Sequence, residues 1–407
     1  MFFFNADNDM TQDKQHNRPN VPPLRFPEFS GEWNRTSIGD KFELYSGNTP
    51  SRLEKDQFVG KINWITSGEL KNHYIAATNE TITEEAAANN NLRLLPIGTF
   101  VIAIYGLEAA GVRSTGSITT EASTISQACM AFLPKGEISN EFLYSWYMKH
   151  GNTIGLRYAQ GTKQQNLSYD IIERFKISYP NVLEQRKLEK FISLLDRRIA
   201  TQSGLIEDLQ KLKAAIIERL YNQNNTESRI GDMVTQVSIR NRGDNDYSVL
   251  SVNNRLGFIE QSEQFEDRLV ASEDTSNYKV VSRDDFAYNP ARINVGSIAR
   301  LTSFEKGIVS PMYICFHTKK LLLPQYMEHF FATRYFDYEM QKRLEGSVRL
   351  CLSWEGLCNI PIAIPSIEQQ ECIGNRISRL ADKIFLEERY LGLLKIQKQY
   401  LLQAMFI

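Results

Sequence analysis

The chain is predicted to be an α+β protein: two globular heads of mixed α/β structure joined by two long helices that pair as an antiparallel coiled coil, with near two-fold organisation. Three observations predict this. Residues 161–221 return without a gap at residues 346–406, every position shifted by 185. Inside both copies apolar residues advance by alternating threes and fours, the spacing of a coiled-coil seam. Each copy also follows a stretch of short β-branched and aromatic runs broken by turn residues, the pattern of a small mixed domain. A repeat spaced this widely is not a stacked solenoid.

Taken in order, residues 1–23 are polar, rich in Asn, Asp and Gln, and end in Val21-Pro22-Pro23. They read as a disordered leader, with Met10 as an alternative start. A first head is expected over 24–160. Its strands are placed at Lys61 to Thr66, Phe100 to Tyr105 and Ala128 to Leu133, with a helix from Asn140 to Lys149. A linking region, 161–225, follows: a loop, a short strand from Phe175 to Pro180, then a helix from about 183 to 221. At about 1.5 Å per residue that helix is on the order of 55 Å long.

The second head, 226–345, is expected to repeat the plan, since Ser228-Arg229-Ile230-Gly231-Asp232 echoes Ser37-Ile38-Gly39-Asp40 at its entrance. Strands are placed at Tyr247 to Val252, Ile298 to Leu301 and Met312 to Phe316, and a helix at Gln325 to Arg334. Residues 346–407 repeat the linking region, with a strand at Ile360 to Pro365 and a second long helix.

The seam runs through Leu188, Ile192, Leu195, Ile199, Gln202, Ile206 and Leu209 in the first helix. In the second it runs through Ile373, Ile377, Leu380, Ile384, Glu387, Leu391 and Leu394. Gln202 and Glu387 hold the one polar slot of each, at the helix midpoint. Antiparallel pairing about a two-fold axis makes them face each other, and a lone polar pair in an apolar seam fixes register at some cost in stability. Side chains that slide out to solvent are the alternative.

Composition bounds the function. Hydrophobic residues are 42% and aromatics 11% of 407 residues, enough for packed cores in two or three domains. No apolar run is long enough for a membrane helix. The five cysteines are scattered, with no Cys-x-x-Cys pair and no histidines at zinc-ligand spacing, which fits reduced thiols in the cytosol and no metal site. Net charge is −1; Lys+Arg against Asp+Glu is 11 to 12 in residues 34–160, 11 to 8 in 161–225 and 16 to 17 in 226–350. A nucleic-acid face would have to be a local arrangement of cations.

Catalytic motifs are absent: there is no phosphate loop, no nucleophile elbow, and no triad or metal pattern around the five histidines. Tyr288-Asn289-Pro290-Ala291 approaches the base-holding loop of amino-methyltransferases, but Ala291 and Arg292 replace its second proline and aromatic, so a turn is the expectation. Cations beside glycine are more suggestive, because Arg can donate two bonds to guanine and Asn can pair with adenine. Arg240-Asn241-Arg242-Gly243, Arg292, Asn294 and Arg300 form that set in the second head. Arg52, Lys55, Lys61, Lys71, Asn72 (followed by His73 and Tyr74) and Arg113 are a thinner set in the first.

On these residues the chain resembles the specificity subunit of type I restriction–modification systems, over nearly its whole length. The resemblance rests on Pro23-Leu24-Arg25-Phe26-Pro27-Glu28-Phe29 with Trp33, and on Gly161-Thr162-Lys163-Gln164-Gln165-Asn166-Leu167-Ser168. It rests also on Ile177-Ser178-Tyr179-Pro180 with Leu183-Glu184-Gln185-Arg186-Lys187 heading the helix. The second half answers with Leu352-Ser353 and Ile362-Ala363-Ile364-Pro365 with Ile367-Glu368-Gln369-Gln370, and departs at Ser347-Val348-Arg349-Leu350-Cys351.

The resemblance implies a non-catalytic DNA-binding subunit whose two target-recognition domains, 24–160 and 226–345, each read one half of an asymmetric split sequence in double-stranded DNA. The helical rod sets the gap and docks methyltransferase subunits, two of them, and the assembly recruits restriction and translocase subunits in the cytoplasm. S-adenosylmethionine, ATP and Mg would bind in those partners and no cofactor in this chain. A rod of about 55 Å is close to one and a half turns of duplex. The alternative is a coiled-coil scaffold whose near-neutral heads bind protein or glycan.

Overall fold

The computed structural model describes residues 19–161, 163–221, 228–242, 247–254, 256–261, 274–347 and 349–407. The expected leader up to residue 18, with Met10, lies outside them, as do the junction at 225–226, Thr162, Gly243 and Val348. The chain folds as two compact units. Unit 1 holds the described residues up to Thr201 together with Leu391–Ile407, and unit 2 is Gln202–Tyr390. Each long helix contributes to both, so the units cut across the five chain segments expected from sequence.

Unit 1 carries a five-stranded sheet in the order Phe42–Ser46, Cys129–Pro134, Phe100–Ala103, Gly116–Thr119, Tyr74–Ile75. Beside it are three strands, Thr81–Ile82, Ile62–Ile65 and Ser123–Ile125. The strands Phe100–Ala103 and Cys129–Pro134 are apolar throughout, and Ile102, Phe132 and Ile118 pack with Phe142, Trp146 and Tyr147 of the helix Asn140–Tyr158. Ser139 caps that helix by accepting from Phe142 N at 3.1 Å.

The first half of the long helix Val182–Leu220 and the last turns of Ile367–Met405 complete the same core. Leu188 and Ile192 share a cluster with Leu402, Met405 and Phe406, and Asp196 meets Lys398. As one helix advances the other retreats: they lie antiparallel. Full burial of Phe406 is worth about 1.5–3 kcal/mol.

Unit 2 has two four-stranded sheets, ordered Val234–Val237, Ile314–Thr318, Phe286–Tyr288, Ile298–Arg300 and Gly257–Glu260, Val249–Asn253, Lys306–Val309, Lys279–Ser282. Ile217 and Tyr221, from the end of the first long helix, join Ile377, Tyr326 and Phe330 in its core. Gln202 bonds Glu387 at the other end of this stretch, so the helices are antiparallel here too. All fourteen predicted seam positions are buried or half-buried.

The repeat is visible in the frame of both units. Asn34–Ser37 pairs antiparallel with Lys176–Tyr179, and Ser228–Arg229 with Pro361–Ile362. Gly161 and Gly346 share a φ of +123°, a backbone only glycine adopts freely, and both loops close by bridges, Gln160 to Asn166 and Glu345 to Cys351. The glycine and the closing bridge are shared although the loop sequences diverge.

Three expectations are corrected. Residues 19–23 belong to the fold rather than the leader: Asn20 donates to Trp33 O, accepts from Trp33 N at 2.7 Å, and takes the Ser178 hydroxyl at 2.9 Å. The helix expected at Gln325 to Arg334 is two, Pro324–Phe330 and Arg334–Gln341, because the Thr333 hydroxyl caps the second by accepting from Phe336 N at 3.0 Å. The strand expected from Ile360 to Pro365 is only Pro361–Ile362, since its partner Ser228–Arg229 offers two residues.

Candidate nucleic-acid interface

In unit 2 two arginine-bearing segments lie on either side of Tyr278. Asn241 N donates to Tyr278 O at 2.9 Å and Arg242 N to Ser276 O at 3.1 Å, which lays residues 240–242 beside 276–278. Tyr278 lines a cavity whose rim carries Arg292. Arg292 enters a short 3-10 turn, Ile293–Val295, and its carbonyl accepts from Val295 and Ser297, both at 3.1 Å. The backbone under this arginine is therefore fixed while its side chain is exposed. Asn289-Pro290 is the expected turn: the Asn289 side chain accepts from Ala291 N at 3.1 Å.

The candidate cations divide by what already holds them. Among the described residues, the side chains of Arg242, Arg292 and Asn294 in unit 2, and of Lys55, Lys61, Lys71 and Asn72 in unit 1, are exposed and make no hydrogen bond or ion pair. Arg240 bonds Asn277 at 2.7 Å. Arg52 grips Glu80 through two bonds, at 2.5 and 2.9 Å, and lies over Phe58 and Trp64. Arg113 lays its stem on Gly155 of the Asn140–Tyr158 helix and donates to Glu108 O at 3.3 Å.

Arg300 does not fit the expectation of a base reader. It is 17% exposed and bridges Asp284 at 3.0 Å and Glu328 at 2.8 Å. Its two carboxylates consume the donor fork that a guanine edge would need. Burial nevertheless lifts Glu328 above the usual carboxylate range, against the pull of Arg300.

His73 and Tyr74, beside Lys71 and Asn72, also serve another purpose. His73 stacks between Tyr74 and Tyr144, with centroids 4.1 and 3.9 Å away. Its Nε2 lies 2.9 Å from Glu141, and its Nδ1 3.3 Å from Asp196 on the first long helix. Asp196 in turn takes Lys398 of the second at 2.5 Å. Burial works against the charged imidazole, but Asp196 and Glu141 hold its pKa above the ordinary histidine value. This is a joint between head and helices.

A second joint explains the repeated glutamine. Gln185 Nε2 donates to Pro180 O at 2.9 Å and Glu137 O at 3.1 Å, while its Oε1 accepts from Ser139 N at 3.2 Å. Gln370 does the same with Pro365 O at 2.9 Å, Leu321 O at 2.9 Å and Leu323 N at 2.8 Å. Both are 1% exposed. One side chain ties the start of a long helix to the loop that opens the head's own helix.

The leading motif is explained too. Arg25 clasps Glu184 through two bonds of 2.7 Å, and Trp33 Nε1 adds a third at 3.3 Å. At the seam, Gln202 Nε2 donates to Glu387 Oε2 at 2.5 Å, so the two polar slots face each other. Lys383, then Gln202, hold the Glu387 pKa below its usual value.

Among the described residues no three His, Cys, Asp or Glu gather to hold a metal ion, and no helix is long and apolar enough to cross a membrane. The cysteines are free thiols, and burial pushes Cys129 and Cys315 up to about 12.

Residues 30–211 match the family model of the type I restriction modification DNA specificity domain. The MjaIX type I restriction enzyme specificity subunit of Methanocaldococcus jannaschii is 26% identical over 194 residues, 47% of this chain and 44% of that one. The EcoR124I/EcoR124II specificity subunit of Escherichia coli is 28% identical over 201 residues, 49% and 48%. The matched stretch thus spans just under half the length of these two relatives. The MjaVIII specificity subunit is 21% identical over 409 residues and 92% of each chain.

A crystal structure of the type I restriction–modification S subunit from M. genitalium has a TM-score of 0.56 at 16% identity, covering 95% of this chain and 99% of that one. A chain from a structural study of complex assembly and conformational transition of the type I R-M system gives 0.59 at 12%, covering 92% and 97%. At these identities the likeness establishes the fold. The resemblance read from the sequence, and the mixed α+β architecture with long helices, are borne out.

Proposed function

We propose, for a chain that carries the type I restriction modification DNA specificity domain, that it is the non-catalytic sequence reader of a type I restriction–modification complex in the cytoplasm. Each head reads one half of an asymmetric, split target in double-stranded DNA. The long helices set the interval between the halves and dock two methyltransferase subunits, and restriction subunits join that assembly. S-adenosylmethionine, ATP and Mg belong to those partners.

The observation that carries this reading is a duplicated frame bearing unlike surfaces. Gln185 and Gln370 make equivalent bonds in equivalent places. The cations around the two heads share neither spacing nor partners. A repeated frame supplies equivalent mounting, while divergent heads supply two different specificities. Phosphate contacts would place the heads, and base-edge contacts would select the sequence. Base extrusion and methyl transfer would fall to the partner.

Methylation mapping of genomic DNA with and without the chain tests this directly. A bipartite motif that disappears on deletion is expected, whereas persistence of every motif would remove the proposal. Exchanging residues 34–160 for the head of another specificity subunit should change one half of the motif and leave the other unaltered. A change in both halves contradicts the modular reading.

A further inference from the structure

Unit 2 contains a cavity of about 350 Å³ at the end of the strand Val249–Asn253, closed by the turn through Asn289 and Arg292 and by residues 310–313. Its lining is rich in amides: Asn253, Asn254, Gln261 and Asn289, and among the described residues Arg292 is its one cation and no Asp or Glu lines it. The frame beneath is rigid. Leu250, Val252, Tyr278 and Tyr313 are buried, and the Tyr313 hydroxyl accepts from Val252 N at 3.3 Å. Asn289 is fixed by its own turn and by a contact to Met312 Sδ at 3.5 Å.

Two side chains are left to act outward. Gln261 Oε1 is buried with no hydrogen-bond partner among the described residues, an acceptor that calls for a donor. The Arg292 guanidinium is exposed on the rim, and its five donors meet no acceptor among the described residues. Asn254, also exposed, makes one long bond to Val295 O at 3.4 Å.

A volume near the lower end of ligand cavities excludes an extended substrate. Amides that accept and donate together match the paired acceptor and amino donor of an adenine edge, and an arginine fork matches the two acceptors of guanine.

The geometry points to this cavity as the base-reading centre of unit 2, with Arg292 selecting guanine and Asn254 and Gln261 selecting adenine in one half of the target. This rests on the proposed function and adds the residues and the bases to it. The segment Arg240–Arg242, laid against Tyr278, supplies the neighbouring phosphate contacts.

The test uses the full chain with its methyltransferase partner, mapping the methylated motif for wild type, Arg292→Ala, Arg292→Lys and Asn254→Ala. Arg292→Ala should cut methylation of the wild-type sequence about 10- to 100-fold and relax one base in one half of the motif. Lysine, which lacks the fork, should not restore it. Asn254→Ala is the variant insulated from folding, because that side chain is exposed. An unchanged motif for Asn254→Ala and Arg292→Ala at unchanged melting temperature overturns the assignment, as does relaxation of both halves together. Titration with free adenosine and guanosine monophosphates should give no saturable binding; tight binding of either would mark a nucleotide site instead. If the wild type yields no bipartite motif, it is the functional reading that fails.

Discussion

The two units solve the same attachment problem with different chemistry. Ser139 and Leu323 hold equivalent places, since each gives its N–H to the repeated glutamine. Counting on from them puts Tyr144 of unit 1 where unit 2 has Glu328. In unit 1 that position stacks on His73, which reaches Glu141 and Asp196. In unit 2 it binds Arg300, which also reaches Asp284. The contrast teaches that the frame fixes where a head meets the helices but leaves the side chains at that contact free to drift. Arg300 was consumed by that drift, which is why it is lost to recognition.

The largest asymmetry is at the start of the long helices. Glu184 is 1% exposed and ionically paired with Arg25, whereas its counterpart Gln369 is exposed and bonds back to Ser366 N at 3.2 Å. Breaking a buried pair from one side strands a charge. Arg25→Ala should destabilise unit 1 by about 3–5 kcal/mol, and Gln369→Ala unit 2 by less than about 0.5 kcal/mol. Denaturant melts of the two variants check this. Equal losses would mean that the Arg25–Glu184 clasp is not what distinguishes the units.

Where the units agree, their losses should agree. Gln185→Ala and Gln370→Ala each leave a half-buried N–H and two carbonyls without partners. Each should cost about 1–3 kcal/mol. Hydrogen exchange at Ser139 and at Leu323 reads the two joints separately. Protection lost at one site only would break the equivalence on which the duplicated frame rests.

Much of that frame was legible in the sequence because its information is local or periodic. The gapless repeat and the three–four spacing place the first long helix at 183–221, against Val182–Leu220 in the structure. The repeated glutamine was visible as a motif, but its purpose was not. Its partners Glu137 and Leu321 lie outside the repeat, 48 and 49 residues away. Among the candidate cations, sequence could not separate Arg292 from Arg300, since only tertiary contacts bring Asp284 and Glu328 to the latter. The amides around Arg292 were missed because Asn254, Gln261 and Asn289 come from three separate segments and share no spacing. Their one signal is an excess of Asn and Gln beside strand ends.

The smallest predicted effect sharpens the comparison most, because only one of the two joints is built on a histidine. Burial opposes the charged form of His73, but Asp196 and Glu141 raise its pKa above the ordinary value. Its ion pairs are therefore complete below about pH 6.5 and are lost as pH rises through the elevated folded value. Asp196 acts at the other end: held below its usual range against burial, by His73 and Lys398, it fails only in acid. Glu328 of the other joint, raised by burial against the pull of Arg300, gains charge rather than losing it as pH rises. His150 and His329, pushed down to about 4 by burial, stay neutral across the same window and add no slope there. Between pH 6 and 9, exchange-corrected protection at Tyr74 and Ile118 should fall about three- to tenfold while that at Ile298 and Arg300 holds. His73→Gln should flatten the unit 1 response. A slope that survives this substitution would mean the imidazole is packed in the joint without carrying its charge.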